Sequence, residues 1–479
     1  MSPHAAFVVV YLLALIGVGA LKARSIKSQE DFSLAGRGLP TWVLVGTLLA
    51  TWIGTGSIFG NAEKTFRVGV GAFLLPIAGS LGVIALYFLA PRIRRFGQFT
   101  IQDILEARFG VVARVLGTIT LLLAYVIIVS YQYRAGSAVV VQCFDIDGRT
   151  AIVLVALFVI VYTALAGMFS VAYTDVANGV LMTIGVACAL PYLWSAAGGA
   201  EGVKEALPAE QLSVFGHFDA VQLVGMLLPP FLLILGDANM VQRFFSARDP
   251  RSARNAAGGM LIGVAVLELA IIAAAFLALA LVAQGQLERP EYDGHILVHT
   301  AFDVLPTWLG AMLVGTIVAV VVSTADSYLL APATALVRDV YQRFSKSAPD
   351  EQRTVFVGRV FVVVLGLAAL GLAFTSDDFF DVAIFAYTLY GAGLTPAILA
   401  AYFWPRANQA GAVSAIAAGV IVSTGWEFWW QASLLESLGA EHWVGSVGAV
   451  LPAVLVSVVV LLVVSLATPA PSQSQQEAF

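Results

Sequence analysis

The chain has 479 residues, of which 59% are hydrophobic and only 11% charged. An ordinary soluble protein carries about 25% charged residues, so this balance excludes a soluble globular enzyme and points to an all-α polytopic membrane protein. The net charge of −5, with basic residues held in short loops, leaves no nucleic-acid footprint. Cys143 and Cys188 form neither a disulfide framework nor a metal motif and read as two buried apolar thiols.

Apolar windows predict thirteen spans: 5–22, 40–62, 70–90, 112–142, 150–166, 171–195, 219–241, 256–283, 306–337, 357–375, 380–403, 411–431 and 444–466. The first window has its positive charges (Lys22, Arg24, Lys27) after it and no small-residue cleavage site, so it reads as a span and not as a removed signal. All but six of the 25 lysines and arginines (Lys64, Arg67, Arg134, Arg149, Lys204, Arg289) fall in loops on one side, Arg243 and Lys346 among them. That asymmetry predicts an N-terminus outside and a C-terminus in the cytoplasm. The five histidines (His4, His217, His295, His299, His442) avoid the span centres, which argues against a histidine proton relay.

The second span holds Thr51, Gly54, Thr55, Gly56, Ser57 and Gly60 at mid-membrane. Glycine and small polar residues weaken a helix, and an unwound segment lining a cavity offers free carbonyls to a cation. Arg134, in the fourth span, is suited to hold a carboxylate through two hydrogen bonds. Asp175 lies just inside the sixth span. The seventh carries a second interruption at Pro229-Pro230, with Gly236-Asp237 further in. Breaks in spans two and seven, five spans apart, fit an inverted repeat of five plus five. Glu268, mid-span in the eighth helix, has no visible partner and reads as a protonated or hydrogen-bonded structural group.

The ninth span contains Ser323, Thr324, Asp326 and Ser327. Ser323, Asp326 and Ser327 share one helix face by their i, i+3, i+4 spacing. A carboxyl at membrane depth costs roughly 2.5–3.5 kcal/mol on insertion scales, and hydroxyls around it suit a small hard cation. Asp175 and Asp326, at one depth, could share a cation or a proton. The acidic loop 284–305 is expected to cover the outer mouth, and the polar tail 469–479 to be disordered.

Six segments in order resemble the sodium/solute symporters, a family that includes sodium-coupled proline, galactose and sialic-acid transporters. They are 31–40 (DFSLAGRGLP), 50–60, Tyr173-Thr174-Asp175, 242–247, 323–327 with 338–341, and 403–406 followed by Gly411-Ala412. The resemblance runs from Asp31 to Ala412. It implies the leucine-transporter-type fold in a single transmembrane domain over 1–468, with spans two to six (about 40–195) and seven to eleven (about 219–403) as the inverted repeats.

It also implies a sodium site made by the carbonyls of Ala50, Ile53 and Val320 and the hydroxyls of Ser323 and Thr324. A second cation site would join Asp175 to Ser323, Asp326 and Ser327, although Asp326 replaces a hydroxyl found in some members. By position the substrate pocket includes Trp52, Ser57, Arg134 and Tyr387. Trp52 replaces smaller or polar residues of the proline and sialic-acid transporters, which argues against reading either substrate across. Arg134 suits a small organic acid or an amino-acid carboxylate. The implied activity is sodium-coupled import of a small solute across a cell (inner) membrane, without covalent chemistry. Sodium, the solute and the lipid bilayer are the expected partners, with no nucleic acid and no obligate protein partner. The alternatives are proton coupling through Asp175 and Asp326, and a membrane ligand sensor.

Overall fold

The computed structural model describes residues 2–23, 26, 28–215, 218–345, 350–375, 379–439 and 443–472. Among these, helices are the only extended elements, apart from one isolated bridge between Leu39 and Ala247. Arg24, Lys27, Lys346, His217 and His442 lie outside the described residues, as does 473–479 of the predicted disordered tail.

Among the described residues, ten helices are long and apolar enough to cross a membrane, and a bent pair over the second span brings the number to eleven. The window 5–22 is the helix Pro3–Ala23, whose apolar stretch, Pro3–Gly19, is shorter than any of these. Gly148–Ala196 is recorded as 49 helical residues, about 74 Å at 1.5 Å per residue and more than twice the hydrocarbon thickness. It is two helices meeting at Gly167, where φ is 60° and ψ 171°. That backbone region is essentially reserved for glycine, and a Cβ there would meet Ile26 Cδ1 at 2.8 Å and Phe32 Cδ2 at 3.0 Å. With this division and the first helix, the thirteen predicted segments are all present. The fourth span, Ile101–Phe144, begins earlier than its apolar window. Thr100 and Asp103 form a capping box at its start, and a break at Gly110 sets the first turns apart.

The second span breaks after Thr41–Trp52 and resumes at Gly56, bent by 54°. Ile53 N still donates to Leu49 O (2.9 Å), but Ile53 itself leaves the helix at ψ 90°. Ser57 N and Ile58 N then both turn to Gly54 O, at 3.0 and 3.2 Å, and a wide turn follows over Gly56–Gly60. The last carbonyls of the first half are thereby released from the helical ladder.

The seventh span departs from the expected break. Its helix Ala220–Gly236 runs through Pro229 and Pro230, and the interruption falls at Asp237, before Ala238–Ser246. Neighbouring side chains take up the freed backbone groups. Tyr390 Oη donates to Gly236 O (2.7 Å), Thr395 Oγ1 donates to Leu232 O (2.7 Å), and Ala238 N donates to Tyr125 Oη (3.0 Å). Asp237 caps the second half through Met240 N (2.9 Å) and accepts from Tyr328 Oη (3.2 Å). The two prolines remove the helical donors to the carbonyls of Gly225 and Met226, yet the helix continues through them.

The ninth span, Thr307–Leu336, is the axis of the bundle: 89% of its most apolar window is buried, against 33% for Glu351–Leu372 and 28% for Val450–Ala467. A helix apolar all round but buried is a core helix, whereas the latter two face lipid on most sides. The loop after the eighth span folds over one end as Asp293–His295 and Ile296–Asp303. Its His295 ring packs on Phe59 and Phe379, at centroid distances of 5.9 and 5.4 Å. Cys143 is half-buried and Cys188 is exposed on the bundle surface, so the expectation of two buried thiols fails for Cys188.

Candidate functional site

The broken second span and the buried ninth span meet through the groups each leaves over. Ser323 Oγ donates to Ala50 O at 2.9 Å. Thr324 Oγ1 lies 3.5 Å from Ala50 O and 3.4 Å from Ile53 O. Two hydroxyls and two released carbonyls thus converge on one point, all neutral oxygens of the kind hard cations prefer. Val320 lies one turn before Thr324 on the same helix and is buried. Close approach of the two spans requires Gly54, since a Cβ there would meet Thr324 Cγ2 at 3.0 Å and Oγ1 at 3.2 Å.

Beside this point lies a small cavity. Trp52, Ser57 and Tyr387 line it, and Thr324 lies on its wall as well as among the converging oxygens. Tyr131 and Tyr387 approach hydroxyl to hydroxyl at 3.2 Å. Gln132 also faces the cavity; its Oε1 accepts from Thr55 Oγ1, and its buried Nε2 has no hydrogen-bond partner among the described residues.

Two features differ from the sequence reading. Arg134 does not line this cavity: it lines another, toward the covered end, with Glu291, His295 and His299, and its guanidinium lies 5.6 Å from the Phe379 ring centroid. One helical turn beyond Tyr131 suffices to carry it past the Phe379–Phe380 layer. Glu268 is the converse case. It lines the cavity, and its Oε1 accepts from Trp52 Nε1 (3.0 Å) and Ser57 Oγ (3.2 Å). A carboxyl at mid-span was the signal for a site residue; its partners are far away in sequence and so invisible there.

Asp175, Asp326 and Ser327 also come together, around a residue predicted to lie in a loop. Arg243 sits in the second half of the broken seventh span, buried to 1% exposure against 0% for Asp175. Its Nη2 lies 3.3 Å from Asp175 Oδ2 and 2.6 Å from Ser327 Oγ, while its Nε donates to Thr47 Oγ1 at 2.9 Å. Thr47 in turn donates to Asp175 Oδ2 at 2.6 Å. Ser327 Oγ is 2.8 Å from Ser323 O and 3.2 Å from Asp326 Oδ1. A guanidinium therefore stands beside Asp175 and Ser327, among the residues expected to hold a second cation. Asp237, noted in the sequence only as part of the Gly236-Asp237 interruption, ties the seventh-span break to Tyr328, the neighbour of Ser327.

A broken helix whose carbonyls face hydroxyls beside a mid-membrane cavity is the arrangement of a secondary transporter. The model of the sodium:solute symporter family matches residues 32–419, and the chain belongs to that family. Among curated relatives, the sodium/proline symporter of Staphylococcus aureus is 25% identical over 485 residues, covering 97% of this chain and 92% of the relative. Among solved structures, a Na+-coupled sialic acid symporter in a substrate-bound outward-open state superposes with a TM-score of 0.84 at 19% identity, over 99% of both chains. Mhp1, a nucleobase-cation-symport-1 family transporter, follows at a TM-score of 0.60 and 14% identity, covering 94% of this chain and 98% of its own. The fold is the leucine-transporter type, and the protein is a multi-pass, sodium-coupled symporter rather than an enzyme.

Proposed function

We propose that the chain imports a small organic solute, such as an amino acid, by alternating access. One sodium ion is bound by the hydroxyls of Ser323 and Thr324 with the carbonyls of Ala50, Ile53 and Val320. The solute binds in the cavity bounded by Trp52, Ser57 and Tyr387. The observation that carries this reading is the convergence of the Ser323 and Thr324 hydroxyls on carbonyls released by the break at Ile53. Thr324 belongs to both the ion cluster and the cavity wall, which gives the two ligands a shared element through which to couple. A cation joining the second span to the ninth straightens neither helix; it fixes their mutual position and orders the break. The membrane field then contributes about 2.3 kcal/mol per charge per 100 mV toward inward movement. The charge asymmetry of the loops supports an N-terminus outside and a C-terminus in the cytoplasm of an inner membrane.

Arg243 supports a single sodium per cycle, because its guanidinium already supplies positive charge to Asp175 and Ser327. The competing reading is proton coupling through Asp175 and Asp326. It is favoured by the position of Asp326, whose carboxyl is buried beside Ser327 with no ion pair within 4 Å among the described residues.

The test is unfolding of the purified protein in sodium against potassium, with Ser323→Ala and Thr324→Ala alongside. At 100 times its dissociation constant, sodium adds about 2.7 kcal/mol. The expected result is a sodium-specific rise in wild type that both variants lose while remaining folded in potassium. Equal stability of wild type in the two ions would sink the sodium site, and uptake driven by a pH gradient in potassium would favour the proton reading.

A further inference from the structure

The solute cavity holds an acidic group and no basic one. Among the described residues that line it there is no lysine, arginine or histidine, while Glu268 lies on its wall, 6% exposed, at the middle of the eighth span. The only donors to Glu268 among the described residues are neutral, the Trp52 indole and the Ser57 hydroxyl, and both go to Oε1. Neither neutralises a carboxylate, and Oε2 receives no protein donor among the described residues. A buried carboxylate without a counter-charge is costly by several kcal/mol, and a cation beside it offsets part of that cost. The surrounding surface is aromatic: Trp52, Tyr131, Tyr328 and Tyr387 face the same space. Rings of this kind attract a cation to their faces, most strongly where water is excluded. On the wall of the same cavity, the buried Gln132 Nε2 remains a donor without a partner among the described residues.

We propose that Glu268 determines specificity by pairing with a positively charged nitrogen on the solute, so that the transported class is amines, quaternary ammonium compounds or amino acids and not simple carboxylates. Gln132 offers its amide hydrogen to an acceptor oxygen on the same molecule. The inference rests on the reading of this cavity as the solute site. It changes the expected chemistry of recognition: the charged anchor is an acid in the eighth span, and Arg134, in the separate cavity at the covered end, does not contact the solute. A solute bearing only a carboxylate would set like charge against Glu268 with no cationic side chain to offset it.

The experiment uses the full chain in nanodiscs, in sodium and in potassium, and reads stabilisation by choline, glycine betaine, L-proline and ethanolamine against lactate and glycerol. Glu268→Gln keeps an acceptor for Trp52 and Ser57 but loses the charge, and Glu268→Asp keeps the charge on a shorter arm. Wild type should respond to at least one nitrogen cation and to neither lactate nor glycerol. Glu268→Gln should weaken that response by at least about thirtyfold in apparent Kd, and Glu268→Asp should retain the preference for cations. A purely structural Glu268 would leave the charge preference unmoved in Glu268→Gln. The proposal is overturned by stabilisation with lactate or glycerol alone, by a cation response that Glu268→Gln preserves, or by no response to any nitrogen-bearing probe at 50 mM. The sodium-specific rise of Glu268→Gln without solute reports that the variant is folded. Its absence in wild type, with the cation response intact, would sink the sodium site and leave the role of Glu268 standing.

Discussion

Replacing Arg243 by glutamine removes the positive charge from a cluster that holds two carboxyl groups. Arg243 and Asp175 are each at most 1% exposed, at 3.3 Å, and Thr47 and Ser327 complete the shell at 2.9 and 2.6 Å. Breaking a buried pair by removing one partner costs about 3–5 kcal/mol, because the remaining charge is left uncompensated. Adding Asp175→Asn to Arg243→Gln removes one of the stranded carboxyls. The double variant should therefore be more stable than the sum of the two single losses predicts, by about 0.5–3 kcal/mol, the usual coupling between side chains in one network. The assay is reversible unfolding by dodecyl sulfate titration in mixed micelles, on wild type, both single variants and the double. Additive losses within about 0.5 kcal/mol, or a single Arg243→Gln variant as stable as wild type, would refute the argument that the guanidinium serves as the cluster's counter-charge. If Arg243 stands in for a second sodium, Arg243→Gln should also raise the Hill coefficient for sodium above one.

Four further outcomes are expected. Gly54→Ala places a methyl 3.0 Å from Thr324 Cγ2, so half-maximal sodium stabilisation should move upward by about tenfold, equivalent to 1.4 kcal/mol, with the fold retained. Gly167→Ala forces a side chain into backbone that only glycine adopts and against Ile26 and Phe32; at about 1–3 kcal/mol of strain plus the clash, folded yield from membranes should fall sharply. Tyr390→Phe leaves the Gly236 carbonyl without its donor, and unfolding titrations should register a loss of about 1–3 kcal/mol. Arg134→Gln, in the separate cavity, should change solute affinity in the Trp52–Tyr387 cavity by less than about twofold, or 0.4 kcal/mol; a large loss would place that side chain back in the solute site.

Apolar window length made the helices legible, because the bilayer requires some 20 apolar residues wherever a helix crosses. The break at Ile53 was legible for a related reason: Gly54, Gly56 and three hydroxyls weaken one short stretch of an otherwise apolar span. The break in the seventh span was not read correctly. Two prolines outweighed Gly236-Asp237 in the sequence, yet the decisive groups, Tyr390, Thr395 and Tyr125, come from the eleventh and fourth spans. Long-range pairing explains what else stayed hidden. Glu268 is partnered by residues over 200 positions away, and Arg243 looked like a loop cation because its countercharge, Asp175, lies 68 residues earlier. Which cavity Arg134 lines was not legible for want of depth resolution: one helical turn separates Tyr131, on the wall of one cavity, from Arg134, on the wall of another.

The bond from Ser323 to the Ala50 carbonyl bears on how fast the transporter can turn over. On the proposed reading, an arriving ion must persuade that hydroxyl to swing its proton away before the oxygen can serve as a ligand. A typical internal hydrogen bond is worth about 0.5–1.5 kcal/mol, so the exchange weakens ion affinity by roughly two- to twelvefold. The same bond re-forms as the ion departs, lowering the barrier to leaving. A carrier gains nothing from a grip it cannot relax, and here the latch is a single proton with two resting places.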